Sequence, residues 1–185
     1  MLSSQKLFIY LKMLENAPKR VVLMSPKEDT NLLYYKHIEE AKLYLPYIKC
    51  NDIVLDLGSG AGFPGIPLAI FKPCVKFYLL DKREIHTNFL SEVKLALGLQ
   101  NVEVVNLDAS MLSKLDISFD VVVARAVNRI GTILLWAKDV VRQDGIVLLG
   151  KKKDIEKELR EISPPFALEA LKPTSFGYIV IVKKL

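Results

Sequence analysis

Three carboxylates, each closing an apolar run, carry the most evident chemistry in the chain. Asp56 ends Ile53-Val54-Leu55 and is followed by Leu57-Gly58-Ser59-Gly60-Ala61-Gly62-Phe63-Pro64-Gly65-Ile66-Pro67. Gly58 and Gly60 allow a tight turn with φ > 0 close to a ligand. The helix expected after them, with Pro64 and Pro67 in its first turn, would aim free N–H groups at that ligand. Asp81 ends the run Val75–Leu80, where an acidic residue is placed to accept both ribose hydroxyls of an adenosine cofactor. Asp108 follows the run Val102–Val105 and opens Asp108-Ala109-Ser110, placed where an adenine amino group could be read.

Gly60, Gly62 and Gly65 satisfy the spacing G-x-G-x-x-G, so a nicotinamide or flavin domain is the first reading to weigh. Asp56 tilts the choice, because a carboxylate beside a pyrophosphate is repelled. S-adenosylmethionine carries an ammonium and a sulfonium instead, and a carboxylate suits both. The expected cofactor contacts are therefore Asp56, Gly58, Ser59, Gly60, Gly62 and Phe63 at the first strand and its turn, Asp81 at the ribose, and Asp108, Ala109 and Ser110 at the adenine.

Strands alternating with helices must position these groups. Helices are expected over Ile66–Lys72, Glu84–Leu97 with Gly98 as its stop, and Ile130–Val141. The β-branched run Phe119–Val123 reads as a buried parallel strand that delivers Ala124-Arg125-Ala126 to the cleft. A cation right after a buried strand needs an anionic partner. For Arg125 that is the cofactor carboxylate, an RNA phosphate, or a structural bridge to Asp56 or Asp108. Ile146–Gly150 forms the fifth strand and hands on to Lys151 at the ligand-binding edge, ahead of a charged helix over 153–161. The runs 166–171 and 178–183 close the sheet as a hairpin, and Ser163-Pro164-Pro165-Phe166 is a loop. Before the core, 5–16 reads as an amphipathic helix with Leu7, Phe8, Leu11 and Leu14 inward. A second helix starts at Asp29 or Thr30 and stops at Pro46. On it, Tyr34, Tyr35 and His37 either stack on an unpaired base or simply pack.

The run Asp56–Pro67 resembles the signature of the glucose-inhibited division protein B family, the bacterial 16S ribosomal RNA guanine-N7 methyltransferases. Leu79-Leu80-Asp81, Val123-Ala124-Arg125-Ala126 and the segment from Leu149 to Lys151 fall in register with it, and the likeness covers roughly residues 20–155. The resemblance implies S-adenosylmethionine as cofactor and 16S ribosomal RNA or the small subunit as partner. It puts Arg125, Lys151 and His37 toward the RNA, with Arg125 also beside the cofactor. Two departures stand out. An upstream N-L-T triplet aligns with Leu23-Met24-Ser25, which lacks the asparagine. The family's Lys-Arg four residues beyond Asp-Ser is replaced by Asp81-Lys82-Arg83-Glu84-Ile85-His86.

The chain has 185 residues, 51% hydrophobic, with net charge +5. That length suits a single domain, which buries ~70% of its unfolded surface. The expected fold is an α/β, Rossmann-like class I methyltransferase with a seven-stranded, mostly parallel sheet. An N-terminal helical cap (1–48) precedes the cofactor-binding core (49–185). No apolar run reaches the ~20 residues of a membrane span, and no signal-peptide h-region is visible, so a cytoplasmic monomer without a membrane or an obligate protein partner is expected. Cys50 and Cys74 lack metal spacing and are read as reduced thiols, and no metal is expected. An Asn or Asp before Pro-Pro-aromatic after the fourth strand, usual in exocyclic-amine methyltransferases, is absent. Cys74 lies at the wrong end of the sheet for a cytosine-C5 nucleophile. The rivals are a methyltransferase for another RNA, a protein or a small molecule, a non-catalytic RNA-binding assembly factor, and an NAD-binding oxidoreductase.

Overall fold

The computed structural model describes residues 1–18, 21, 30–152, 155–175 and 177–185, and the side chains of 30–34 are likewise outside the description. The Leu23-Met24-Ser25 triplet, the Tyr34 side chain and Lys153 therefore lie outside the described residues.

The elements run α1 (Ser3–Asn16), α2 (Thr30–Lys42), β1 (Ile53–Leu57), α3 (Gly65–Phe71), β2 (Lys76–Asp81), α4 (Glu84–Leu97), β3 (Val102–Asn106), β4 (Phe119–Arg125), α5 (Ile130–Ala137), β5 (Val141–Lys151), α6 (Glu156–Leu159), β6 (Phe166–Thr174) and β7 (Gly177–Lys184). Short 3-10 turns span Leu45–Tyr47 and Ala109–Lys114. The sheet has seven strands in the order β3-β2-β1-β4-β5-β7-β6. β1 to β5 pair in parallel, while β7 lies antiparallel to both β5 and β6. It is the seven-stranded, Rossmann-like arrangement expected from the sequence. The strand order reverses between β1 and β4, and in open α/β sheets ligands bind beyond the C-terminal ends of the strands at such a point.

Helices cover both faces, which is why the central strands read as nearly continuous apolar runs rather than alternating ones. Along β1, Val54 joins a core shared with Tyr10, Ile66, Phe89 and Val93 of α1, α3 and α4, while Leu55 and Leu57 join the opposite core with Ile130, Ile133 and Leu134 of α5. By that alternation Asp56 points to the face of α3, where it is 1% exposed. Gly98 closes α4 in the left-handed conformation, φ +59°.

The structure corrects several expectations. On α1 the buried residues are Tyr10 and Leu14, and Phe8 is 62% exposed. The helix is turned by a polar tether, because the Tyr10 hydroxyl donates to the Ala61 carbonyl at 2.8 Å and its ring meets Phe63 at 5.3 Å. α5 ends at Ala137, four residues early, since the Val140 carbonyl accepts from Phe119 N–H and Val141 already belongs to β5. α6 is one short turn inside the expected 153–161. Cys50 and Cys74 are joined as a disulfide, not left as thiols. Parallel pairing of Ile53 with Lys76 sets the segments before β1 and β2 side by side, and Asn51 N–H donates to the Cys74 carbonyl. This link sits at the sheet edge opposite the β-strand tips that carry Asp56 and Asp81.

Candidate functional site

Beyond β1 the backbone turns on Gly58, Gly60 and Gly62, with φ of +73°, +56° and +106°. The turn is stitched to β2, because the N–H groups of Gly58 and Ser59 both donate to the Leu80 carbonyl at 2.8 and 2.9 Å. Ser59 is buried, and its hydroxyl donates to the Asp56 carbonyl. The Asp56 carboxyl lies under α3, where Oδ2 accepts from Gly65 N–H at 3.1 Å. The first amide of that helix is thus spent inside the protein rather than on a ligand. Burial pushes the Asp56 carboxyl up to about 7, against the lowering effect of hydrogen bonds from Ser59 and Gly65. So raised and so buried, it serves as an internal brace for the turn.

A side chain at Gly65 has nowhere to go: a Cβ there would sit 2.4 Å from both Asp56 Oδ2 and Leu79 Cδ2. Gly65→Ala is therefore expected to lower stability by about 1 to 3 kcal/mol, the usual cost of overpacking. Urea denaturation of the two proteins measures it. Equal midpoints would contradict the packing described.

At the tip of β2, Asp81 is a convergence point. Its Oδ2 accepts from Gly60 N–H at 2.9 Å and faces His86 Nδ1 at 3.0 Å, while Oδ1 accepts from Arg83 N–H at 2.9 Å. Burial opposes its charge, but the hydrogen bonds from His86, Arg83 and Gly60 outweigh it and hold the carboxyl below its ordinary range. It is therefore ionised at neutral pH. Asp108 caps the 3-10 turn Ala109–Lys114, accepting from Ser110 N–H at 2.9 Å and Ser110 Oγ at 2.7 Å, with Lys82 Nζ 3.8 Å away. Those Ser110 hydrogen bonds lower it as well.

These tips enclose a cavity of about 410 Å³, in the size range of small-molecule sites. Gly58, Asp81, Asp108 and Ala109 line it, together with Lys82, Leu107, Asn128 and Trp136 among others. It fits the adenosine half of S-adenosylmethionine. Asp81 offers an ionised acceptor for a diol, and Leu107, Ala109 and Trp136 supply apolar surface for a flat base. Several other predicted residues sit around the cavity instead. Asp56, Ser59, Gly60 and Gly62 shape the turn, Ser110 holds Asp108, and Phe63 packs on Tyr10 and on the His37 ring, 5.2 Å away.

The three cations or near-cations expected to face RNA are engaged within the protein. Arg125 Nη2 lies 3.3 Å from Glu40 Oε2 and 2.8 Å from His37 Nδ1, so Glu40, rather than Asp56 or Asp108, is its carboxylate ion-pair partner among the described residues. Lys151 Nζ pairs with Glu158 Oε2 at 2.7 Å and donates to the Asn128 carbonyl. Through Asn128 it braces the cavity wall. Sequence reasoning missed Glu40 as that partner, and it missed Asn128 and Trp136 as lining and His86 as a neighbour of Asp81. Glu40 and Arg125 are 85 positions apart, beyond any local spacing. The His86 signal was available, since the first turn of a helix brings a residue five places on back to the end of the strand before it.

Comparison with known proteins agrees on one family. The model for GidB, described as rRNA small subunit methyltransferase G, matches residues 3–182. A ribosomal RNA small subunit methyltransferase G from Legionella pneumophila (strain Corby) is 36% identical over 141 residues, covering 76% of this chain and 67% of the relative. One from Sorangium cellulosum (strain So ce56) is 35% identical over 164 residues, covering 82% and 68%. Among solved structures, TrmN from Thermus thermophilus superposes with a TM-score of 0.63 at 20% identity, over 80% of this chain and 48% of that one. This last likeness is one of fold.

Proposed function

Because this chain belongs to the family rRNA small subunit methyltransferase G, we propose that its cavity holds S-adenosylmethionine and serves the N7-methylation of a guanine in 16S ribosomal RNA. The observation that carries this reading is the Asp81 carboxylate, held by Gly60, Arg83 and His86, at the wall of a cavity that opens where the strand order reverses. When bound, the donor would supply an electrophilic methyl group on a positively charged sulfur, leaving as a neutral thioether once that S–C bond is exchanged for one to guanine N7, which carries no proton to be removed. The residues therefore act by positioning and charge rather than as a general base.

Asp81 accepts the ribose hydroxyls. Asp108, kept in place by Ser110, stands at the adenine side with Ala109 and Leu107. The turn from Gly58 to Gly62, braced from below by Asp56 and Ser59, presents backbone to the amino-acid end. Arg125, oriented by Glu40 and His37, lies at the tip of β4 on the RNA side of the cleft. Lys151 supports the same wall through Asn128. The substrate is ribosomal RNA, which sets the site of action in the cytoplasm, and the 1–185 stretch is read as one methyltransferase domain, a 1–48 cap on a 49–185 core, that works as a monomer. Among the described residues, no helix is long and apolar enough to cross a membrane.

The test is to incubate the purified chain with methyl-labelled S-adenosylmethionine and 16S ribosomal RNA, then to digest the RNA and separate the nucleosides. Label is expected in 7-methylguanosine. Label in methylated adenosine or cytidine, or RNA binding with none transferred, would overturn the assignment in favour of another RNA methyltransferase or an assembly factor.

A further inference from the structure

His86 is a buried imidazole whose second nitrogen the fold leaves idle. His86 is 1% exposed, on the first turn of α4, with its backbone N–H donating to the Arg83 carbonyl at 2.9 Å. Nδ1 lies 3.0 Å from Asp81 Oδ2. Nε2 is buried and has no hydrogen-bond partner among the described residues. A histidine that merely filled space would be a costly choice there, because a buried polar atom left without a partner is destabilising where a leucine is not. What the ring contributes is Nδ1, together with its edge. A Cβ placed at Gly60 would meet His86 Cε1 and Nδ1 at 3.9 Å, so the imidazole lies beneath the same turn whose Gly60 N–H reaches Asp81.

We propose that His86 is a positioning residue for the proposed cofactor site, which acts through Asp81 by donating from Nδ1 to Oδ2 and so leaves Oδ1 to take the ribose hydroxyls. The inference rests on the ribose role given to Asp81 above. A carboxylate has about four acceptor positions. Oδ2 is occupied by two donors, Gly60 N–H and His86 Nδ1–H, whereas Oδ1 takes one, from Arg83 N–H. Without His86, the carboxylate would be held on that side by a single amide from a glycine turn and could rotate away from the diol. The bare nitrogen of the ring is then Nε2, the one that the structure leaves without a donor.

The test compares S-adenosylhomocysteine with its 2′,3′-dideoxy analogue by calorimetric titration of the wild type, His86→Leu, His86→Asn and Asp81→Ala. The wild type should prefer the intact ribose by about 10-fold or more. His86→Leu should lose most of that preference, and His86→Asn, whose amide nitrogen can replace Nδ1 as donor, should retain it. Nitrogen-15 NMR of the wild type should find the ring proton on Nδ1. If Asp81→Ala abolishes the preference and His86→Leu keeps it, the ribose reading stands and the role of His86 is wrong. If Asp81→Ala keeps the preference, the ribose reading itself fails and takes the inference with it. Should His86→Leu not fold, the spectrum still decides, since a proton on Nε2 contradicts the proposal.

Discussion

Replacing Asp81 by alanine is expected to weaken S-adenosylmethionine binding by about 10- to 100-fold, the worth of hydrogen bonds to a charged group. The size follows from where the carboxylate sits. It is 7% exposed, it borders the cavity, and it is ionised because three internal donors stabilise its charge. Those same donors have a structural use, so the variant needs a control for folding, and an unchanged melting temperature provides it. Asp81→Asn sharpens the test, since it keeps shape but loses charge and one acceptor, and it should fall between wild type and alanine. Titration calorimetry gives all three affinities. Equal affinity in wild type and Asp81→Ala would remove Asp81 from the ribose site.

The second large effect concerns stability and pH at Asp56. Its carboxyl is buried beneath α3 and stands at about 7 in the folded chain, against an ordinary value of 3.8. A carboxyl raised on folding holds its proton more tightly when folded. Its contribution to stability is therefore complete below about pH 4, is lost as pH rises toward 7, and stays lost above that. At about 1.4 kcal/mol for each pH unit, the loss amounts to up to about 4 kcal/mol. Asp56→Asn keeps an acceptor for Gly65 N–H and removes the charge, so its stability should not share the decline. Urea denaturation at pH 4.5 and at pH 8 measures the difference, with the asparagine variant gaining on wild type at the higher pH. Parallel pH profiles for the two proteins would show that Asp56 is not a buried titrating carboxyl.

What could be read from residues alone, and what could not, divides along a physical line. Strand tips are local: an apolar run followed by an acid or a glycine states its own ending, and Asp56, Asp81 and Asp108 fell where such endings predict. The same runs gave the five parallel strands and the hairpin that closes the sheet. Partners across the fold have no such local sign. Arg125 demanded an anion, but nothing in its neighbourhood of sequence pointed to Glu40 on a helix 85 positions earlier. Lys151 was read toward RNA from its place at the ligand-binding edge and from the family resemblance, and nothing local named Glu158, on the short helix Glu156–Leu159, as its partner. The direction of α1 was missed for a related reason. Periodicity gives a stripe of apolar residues, but the bond from Tyr10 to the Ala61 carbonyl decides which stripe turns inward. Asp56 is the converse case, a strand-tip residue legible from its own run whose side-chain partner, the Gly65 N–H under α3, follows from the alternation along β1.

The most direct test of the account is nucleoside mass spectrometry of 16S ribosomal RNA from cells that carry the gene, from cells that lack it, and from the latter supplied with an Asp81→Ala copy. The 7-methylguanosine at one guanine of the small-subunit RNA should disappear with the gene, and the Asp81→Ala copy should restore it far less than the level in cells that carry the gene. A level of 7-methylguanosine that is the same with and without the gene would contradict it.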